Sequence, residues 1–387
     1  MAMKDQMRTS VATAVICLLV VTGGCAQLGE QKVAPAEIKP EEKALTYATG
    51  AAEQTIESQV KPAEQAEAVP KETPKPEIAV EQHVPEEAKP GAVLLTLKFA
   101  PQDVTTYRVT TESGKSVDWE GSLQKKPSAF KGGRTGSRIE MTFTQRIQSV
   151  DDEGNAVAEI TIKGLKYLGR VRDNTVLDFD SSRQQDQDSP LMKLIGQNYT
   201  VEISPAGELL KVVDVTQARA AVGGSTSAHR AATGLLSAEA ITKRHTIAAL
   251  SGAGKHRVQA GEDWSKVEAL SFDMMGSKSY EKVYTLKEVK DIDNRTIATV
   301  DMQAIPSSEM AQQLYKEQTV NPFAKMFDSR DNYTGRLKLD LTAGKIEECL
   351  EELTTEWVMV DPNPANGEEP SALRMTATRL YHVEKIE

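Results

Sequence analysis

Cysteine, histidine and aromatic residues are scarce in this 387-residue chain, and each scarcity removes a class of protein. Three cysteines, Cys17, Cys25 and Cys349, are too few for a disulfide framework, so any core must hold without staples. The five histidines (His83, His229, His245, His256 and His382) fall in no HExxH spacing and no Cys/His cluster, which argues against a zinc site. Aromatics make up 5% and the mean hydropathy is −0.41, which does not fit the aromatic girdles and apolar bands of an outer-membrane barrel. The formal charge of −10 lacks the basic footprint of nucleic-acid binding. No G-x-S-x-G, Walker loop or dinucleotide fingerprint occurs, and Gly223-Gly224-Ser225 reads as a flexible joint. No catalytic residue, metal site or cofactor is therefore expected.

What is present starts with an address. Lys4 and Arg8 outweigh Asp5 ahead of an apolar run, Val11 to Val21, which Thr22-Gly23-Gly24-Cys25 follows. A basic start, a short apolar stretch and a small-residue site describe a secretory signal peptide. The run falls short of the roughly 20 apolar residues that span a bilayer. Gly23-Gly24-Cys25 resembles the bacterial lipobox, although Thr22 stands where an aliphatic residue is usual. The resemblance implies cleavage between Gly24 and Cys25, diacylation of Cys25, and a signal peptide over 1–24. Ala26, rather than Asp, after the cysteine implies an outer-membrane anchor facing the periplasm. Cys349, left alone, reads as a small packed hydrophobe.

A tether follows over 25–91. Residues 26–90 hold 13 Glu, 7 Lys and 8 Pro. Such a segment buries too little apolar surface to offset its chain entropy and is expected to be disordered, with a short helix conceivable between Glu41 and Val60. Its flexible span is roughly 40–50 Å. It reads as a passive spacer, and its acidity speaks against gripping anionic lipid.

From Ala92 onward, apolar residues alternate with polar ones, the mark of half-buried strands. Ile139, Met141, Phe143 and Ile147 share one face; after Asp151-Asp152-Glu153-Gly154-Asn155 the alternation resumes at Ala158, Ile160 and Ile162. That is a hairpin. A second runs from Lys282 to Val289, through Asp291-Ile292-Asp293-Asn294, to Ala298, Val300 and Met302. Further on, Asn198-Tyr199-Thr200 and Asn332-Tyr333-Thr334 each open a strand, a turn with Gly207 or Gly344, and another strand. Phe179-Asp180-Ser181 and Phe327-Asp328-Ser329 precede them at different spacings. Together these features point to an internal duplication. The expected parts are a first β-rich half over 92–216, a Gly/Ala-rich and helical connector over 217–255, and a second β-rich half over 256–387. Helices are expected at Ser237–Leu250, with Ser237 as cap, at Pro190–Ile195 and at Ser307–Lys316. Ala372–Ile386 reads as a closing strand.

The fold expected is α+β and β-dominated: two related antiparallel sheets or half-barrels joined by a helical connector. The ordered set YRVTTES from Tyr107, LDFDSS from Leu177, NYTVEISPAGELLKV from Asn198 and GEDWS from Gly261 resembles an uncharacterised family of bacterial exported lipoproteins. That family supplies no site residues. The hairpins, helices and anchor are also similar in architecture to periplasmic lipoprotein carriers and receptors, which implies a curved sheet whose helices cover a lipid-holding hollow. A membrane-anchored, non-enzymatic envelope protein is expected. It would bind a hydrophobic ligand or envelope component, with Phe143 and Ile160 on the inward, ligand-facing side. The alternative is a structural lipoprotein docking onto an envelope complex. The acidic groups Asp151–Glu153 and Asp178, Asp180, Asp186 and Asp188 read as solvated turns before they read as calcium ligands. A hydrolase would need Asp178, Asp180 and Asp328 in one cleft. Trp264 reads as a plug at one end of a sheet.

Overall fold

A computed structural model describes residues 91–120, 132–254, 256–307, 326–360 and 370–386. The signal peptide, Gly24, Cys25, nearly all of the tether and the helix expected within Ser307–Lys316 lie outside the described residues.

Residues 87–387 form one compact unit. Its first half contributes β1 (Val93–Leu94), β2 (Val104–Glu120), β3 (Gly133–Val150), β4 (Ala156–Val171), β5 (Asn174–Asp180), β6 (Asn198–Ile203) and β7 (Leu209–Asp214). Four helices follow: α1 (Thr216–Ala221), α2 (Ser227–Leu235), α3 (Ala238–His245) and α4 (Ala248–Ala253). The second half adds β8 (Arg257–Val258), β9 (Asp263–Ser271), β10 (Ser277–Ile292), β11 (Arg295–Pro306), β12 (Asp328–Asp340), β13 (Lys345–Val360) and β14 (Ala372–Lys385). The β-dominated α+β class is as the alternation indicated.

The strand sets expected as two sheets or half-barrels are joined in one. The order is β7-β6-β4-β3-β2-β14-β13-β12-β11-β10-β9, all antiparallel, with β5 beside β4. β14, expected to close the chain, is the seam: it pairs with β2 from Ala372↔Glu120 to Lys385↔Tyr107 and with β13 on its other edge. A separate two-stranded piece pairs β1 with β8.

The duplication shows in strand order. β7-β6-β4-β3-β2 and β13-β12-β11-β10-β9 read in the same direction across the sheet, with β14 between them. Phe143 faces Ile162 across the first hairpin, and Tyr284 faces Met302 across the second, as the aligned sequences require. The Asn-Tyr-Thr likeness is out of step, however. Ile160 pairs with Tyr199, whereas Val300, its counterpart, pairs with Leu337 and not Tyr333. The turns restore the match. Gly207 (φ 71°) and Gly344 (φ 64°) occupy the equivalent bends in the left-handed region that glycine tolerates. The β10–β11 turn uses Asp293 and Asn294, both with positive φ, the two-residue geometry that suits hairpin twist.

Long side chains reveal the curvature. Strands three apart in a flat sheet lie about 14 Å from each other. Yet Tyr280 on β10 bonds Thr355 on β13 at 3.2 Å, and Lys282 on β10 bonds Glu351 on β13 at 2.8 Å. Arg379 on β14 reaches the Ser271 carbonyl at the end of β9, five strands away, at 2.6 Å. The sheet is rolled.

The connector differs from expectation in one place. Gly223–Ser225, read as a joint, separates α1 from α2, the latter started by Thr226, whose hydroxyl accepts from His229 N. The single helix expected over Ser237–Leu250 is two. Ser237 caps α3 as expected, but Thr246 and Ile247 are extended and Ile247 N donates to Gly207 O at 2.8 Å. A β-branched pair that bonds a neighbouring turn cannot also continue a helix. Pro190–Leu194 is a short 3-10 helix, with Ser189 accepting from Leu191 N.

Candidate functional site

Three elements converge on one end of the rolled sheet. The connector lies against it: Tyr381 on β14 donates to the carbonyl of Arg244 at 3.0 Å, and Trp264 on β9 donates to that of Ala249 at 2.9 Å. Trp264 also stacks on Tyr284, 5.8 Å between centroids, so the expected plug is a half-buried clasp between edge strand and connector. The segment after β1 is the third element. Leu97 N donates to Pro205 O in the β6–β7 turn, and Lys98 N donates to Gly344 O in the β12–β13 turn. This strap thus ties together the equivalent turns of the two halves.

Beneath strap and connector is a cavity of about 40 Å³. That is room for roughly two or three waters or a small head group. Its walls are mostly apolar: Leu97 and Phe99 from the strap, Tyr107 and Phe143 from the sheet, Ile247 from the connector, and Val383 from β14. Two charged residues join them, Arg244 and Lys345. Lys345 is paired with Asp103 and bonds Thr105 at 2.7 Å.

Arg244 and His245 end α3, where cations complement the helix dipole. Both are buried. Arg244 donates to Tyr199 Oη at 3.1 Å and to Leu235 O at 2.9 Å. His245 Nε2 is 2.7 Å from the same Tyr199 Oη, and its ring meets Phe143 edge-on at 4.9 Å. Tyr199 accepts from Arg244; if His245 Nε2 also donated to it, the Tyr199 proton would be buried with no acceptor among the described residues, so we assign that proton to Nε2 and the imidazole proton to Nδ1. Burial first, and then the Arg244 charge, push the His245 pKa well below its ordinary value. The ring is neutral.

The two residues expected to face a ligand separate here. Phe143 lines the cavity. Ile160 is fully buried opposite Tyr199, inside the core and not on the cavity wall. Sequence reasoning missed Arg244 and His245, which it placed among unremarkable helix residues.

The second half fills its interior differently. Lys282, 3% exposed, is bonded to Glu268 at 2.5 Å and Glu351 at 2.8 Å. Tyr333 Oη lies within hydrogen-bond distance of both carboxylates, between which its one proton is shared, and Lys282 lies over its ring. Burial alone would lower the Lys282 pKa, but Glu351 and Glu268 outweigh it and hold the ammonium above its usual range. Burial also raises the Tyr284 and Tyr333 hydroxyls. Tyr284 Oη is buried with no hydrogen-bond partner among the described residues. Cys349 is buried and free on β13, and burial pushes its thiol up, away from nucleophilic character.

The acidic groups are engaged locally. Asp151 accepts from the backbone of Glu153 and Asn155. Arg183 bridges Asp178 and Asp186. Asp328 begins β12 in the other half. Among the described residues, no three His, Cys, Asp or Glu side chains form a metal-sized group. No described helix is long and apolar enough to cross a membrane.

No family model and no curated protein matches the chain. Among solved structures, it is similar to one of lipovitellin concerned with lipid–protein interactions. The TM-score is 0.34 at 11% identity, over 75% of this chain and 26% of that one, so the chain spans about a quarter of that structure's length. It is also similar to DynF from the dynemicin biosynthesis pathway of Micromonospora chersina, with a TM-score of 0.16 at 7% identity, over 75% of this chain and 85% of that one. Neither likeness is close enough to establish a shared fold.

Proposed function

We propose that this chain is a non-enzymatic envelope lipoprotein, anchored through Cys25 on a tether, whose folded part holds an apolar molecule between its rolled sheet and its helical connector. The carrying observation is the cavity itself: a mostly apolar hollow lined by the sheet, the strap and the short helices of the connector. The helices are six to nine residues long, too short to be stable alone. They are held by packing and a few bonds, so their displacement would enlarge a space that now fits only a small group. An anchored N-terminus facing the periplasm suits a protein that collects or senses molecules of the envelope.

The test is mass spectrometry of an organic extract of the full-length protein, purified gently from its native envelope. A stoichiometric, non-covalent apolar molecule supports the proposal; an empty, well-folded protein overturns it. The docking alternative has its own supporting observation. β7 ends the sheet, and its Leu210 and Val213 are exposed. An unpaired edge is a template for adding a partner's strand. Cross-linking of β7 to one envelope protein, with no lipid found, would favour it.

A further inference from the structure

The two charged residues on the cavity wall differ in one respect. Lys345 has Asp103 as counter-ion. Arg244, 7% exposed, has no carboxylate within ion-pair distance among the described residues; it donates to a neutral hydroxyl and a carbonyl. Buried cations are normally matched, as Lys282 is by two glutamates. His245 beside it, with its proton assigned to Nδ1, has one hydrogen bond among the described residues, the one at Nε2. Arg244, with donors to spare, and His245 thus both line a small, mostly apolar hollow. Both donate, and neither repels an anion.

From this geometry we propose that the molecule held there is an anionic amphiphile, whose carboxylate or phosphate monoester head accepts hydrogen bonds from Arg244 and His245 Nδ1 while its chain runs along Phe143, Ile247 and Leu97. The proposal rests on the ligand-binding reading of the cavity. A charge-assisted, two-point contact fixes the head, and the observed volume fits a head better than a chain. Gln145 also lines the cavity on the sheet side.

The test is calorimetric titration of the full chain carrying Cys25→Ser, so that no covalent acyl group competes. The probes are decanoate, decyl phosphate and decanol. Decanoate or decyl phosphate should bind at least about tenfold tighter than decanol, and whichever is tighter identifies the head. Arg244→Met should erase that preference. Equal affinity for charged and neutral probes, or a preference that survives Arg244→Met, overturns the anionic head but leaves the apolar-ligand reading standing. Binding of none of the three overturns both. If Arg244→Met does not fold, imidazole nitrogen shifts of His245 in the parent chain decide. Nδ1 must move with decanoate or decyl phosphate and stay put with decanol; any other pattern overturns the proposal.

Discussion

The two halves of the sheet share a strand order but fill their concave sides by opposite means. The second half uses side chains of its own strands: Lys282, Glu351, Glu268 and Tyr333 form a network in which hydrogen bonds answer the buried charge. The first half imports a filling, the four-helix connector, and leaves Arg244 without a counter-ion among the described residues. A self-filled roll is fixed by covalent continuity along each strand. An imported filling can be displaced without breaking the sheet. The cavity lies on the connector side and takes Lys345 and Val383 from the second half as well as Phe143 from the first, whereas the Lys282 network is built from second-half strands alone.

The largest test of this contrast is Lys282→Met. It leaves Glu351 buried with no cation and should cost about 3–5 kcal/mol in urea unfolding. Arg244→Met breaks no ion pair and should cost well under half of that; equal losses would erase the distinction between the halves.

The equivalent turns offer the next comparison. A Cβ on Gly344 would lie 2.4 Å from Lys98 N, whereas one on Gly207 would lie 3.1 Å from the Ile247 side chain. Both positions have left-handed φ, so both alanine variants should lose about 1–2 kcal/mol. Gly344→Ala should lose more, because the strap backbone must move. Hydrogen exchange at the Lys98 amide would report it, and unchanged protection there would refute it.

pH sharpens the comparison further. His245 is held neutral by burial and by Arg244, so its folded-state pKa lies below its unfolded value. The unfolded chain then binds more protons as pH falls through about 6.5. Stability contributed by the neutral ring is complete above that pH and declines below it, by at most about 1.4 kcal/mol per pH unit. Thermal melts from pH 7.5 to 5 should show this slope, and His245→Gln should flatten it.

The smallest effect goes the other way. Tyr284 Oη is buried without a hydrogen-bond partner among the described residues. Tyr284→Phe removes that unsatisfied group and should stabilise the protein by about 1 kcal/mol in the same urea experiment. A loss of stability would mean that the hydroxyl is bonded in solution.

Much of the fold was legible because it is written at short range. Alternation at Met141, Phe143 and at Ile160, Ile162 marked faces that are buried, and Asp151–Asn155 marked the turn between them. Ser237 as a cap was readable for the same reason. The candidate site was not. His245 and Arg244 look like the basic end of any helix, and nothing local says that Tyr199, 45 residues earlier, will meet them. Splitting the expected helix at Thr246–Ile247 also depended on a distant partner, the Gly207 carbonyl.

The sequence by itself determined the β-dominated class, the hairpins and their turns, the repeated order and the burial of Cys349, since each follows from side-chain period and turn chemistry within about 25 residues. Only the tertiary structure decided that the two strand sets form one sheet, with the last strand at its seam. Only it showed that the roll brings β9 within reach of β12 and β14, and that a strap ties Pro205 to Gly344 over a cavity. Those are pairings between segments up to a few hundred residues apart. They are selected by which buried surfaces and unpaired edges can satisfy one another, and no local pattern encodes that choice.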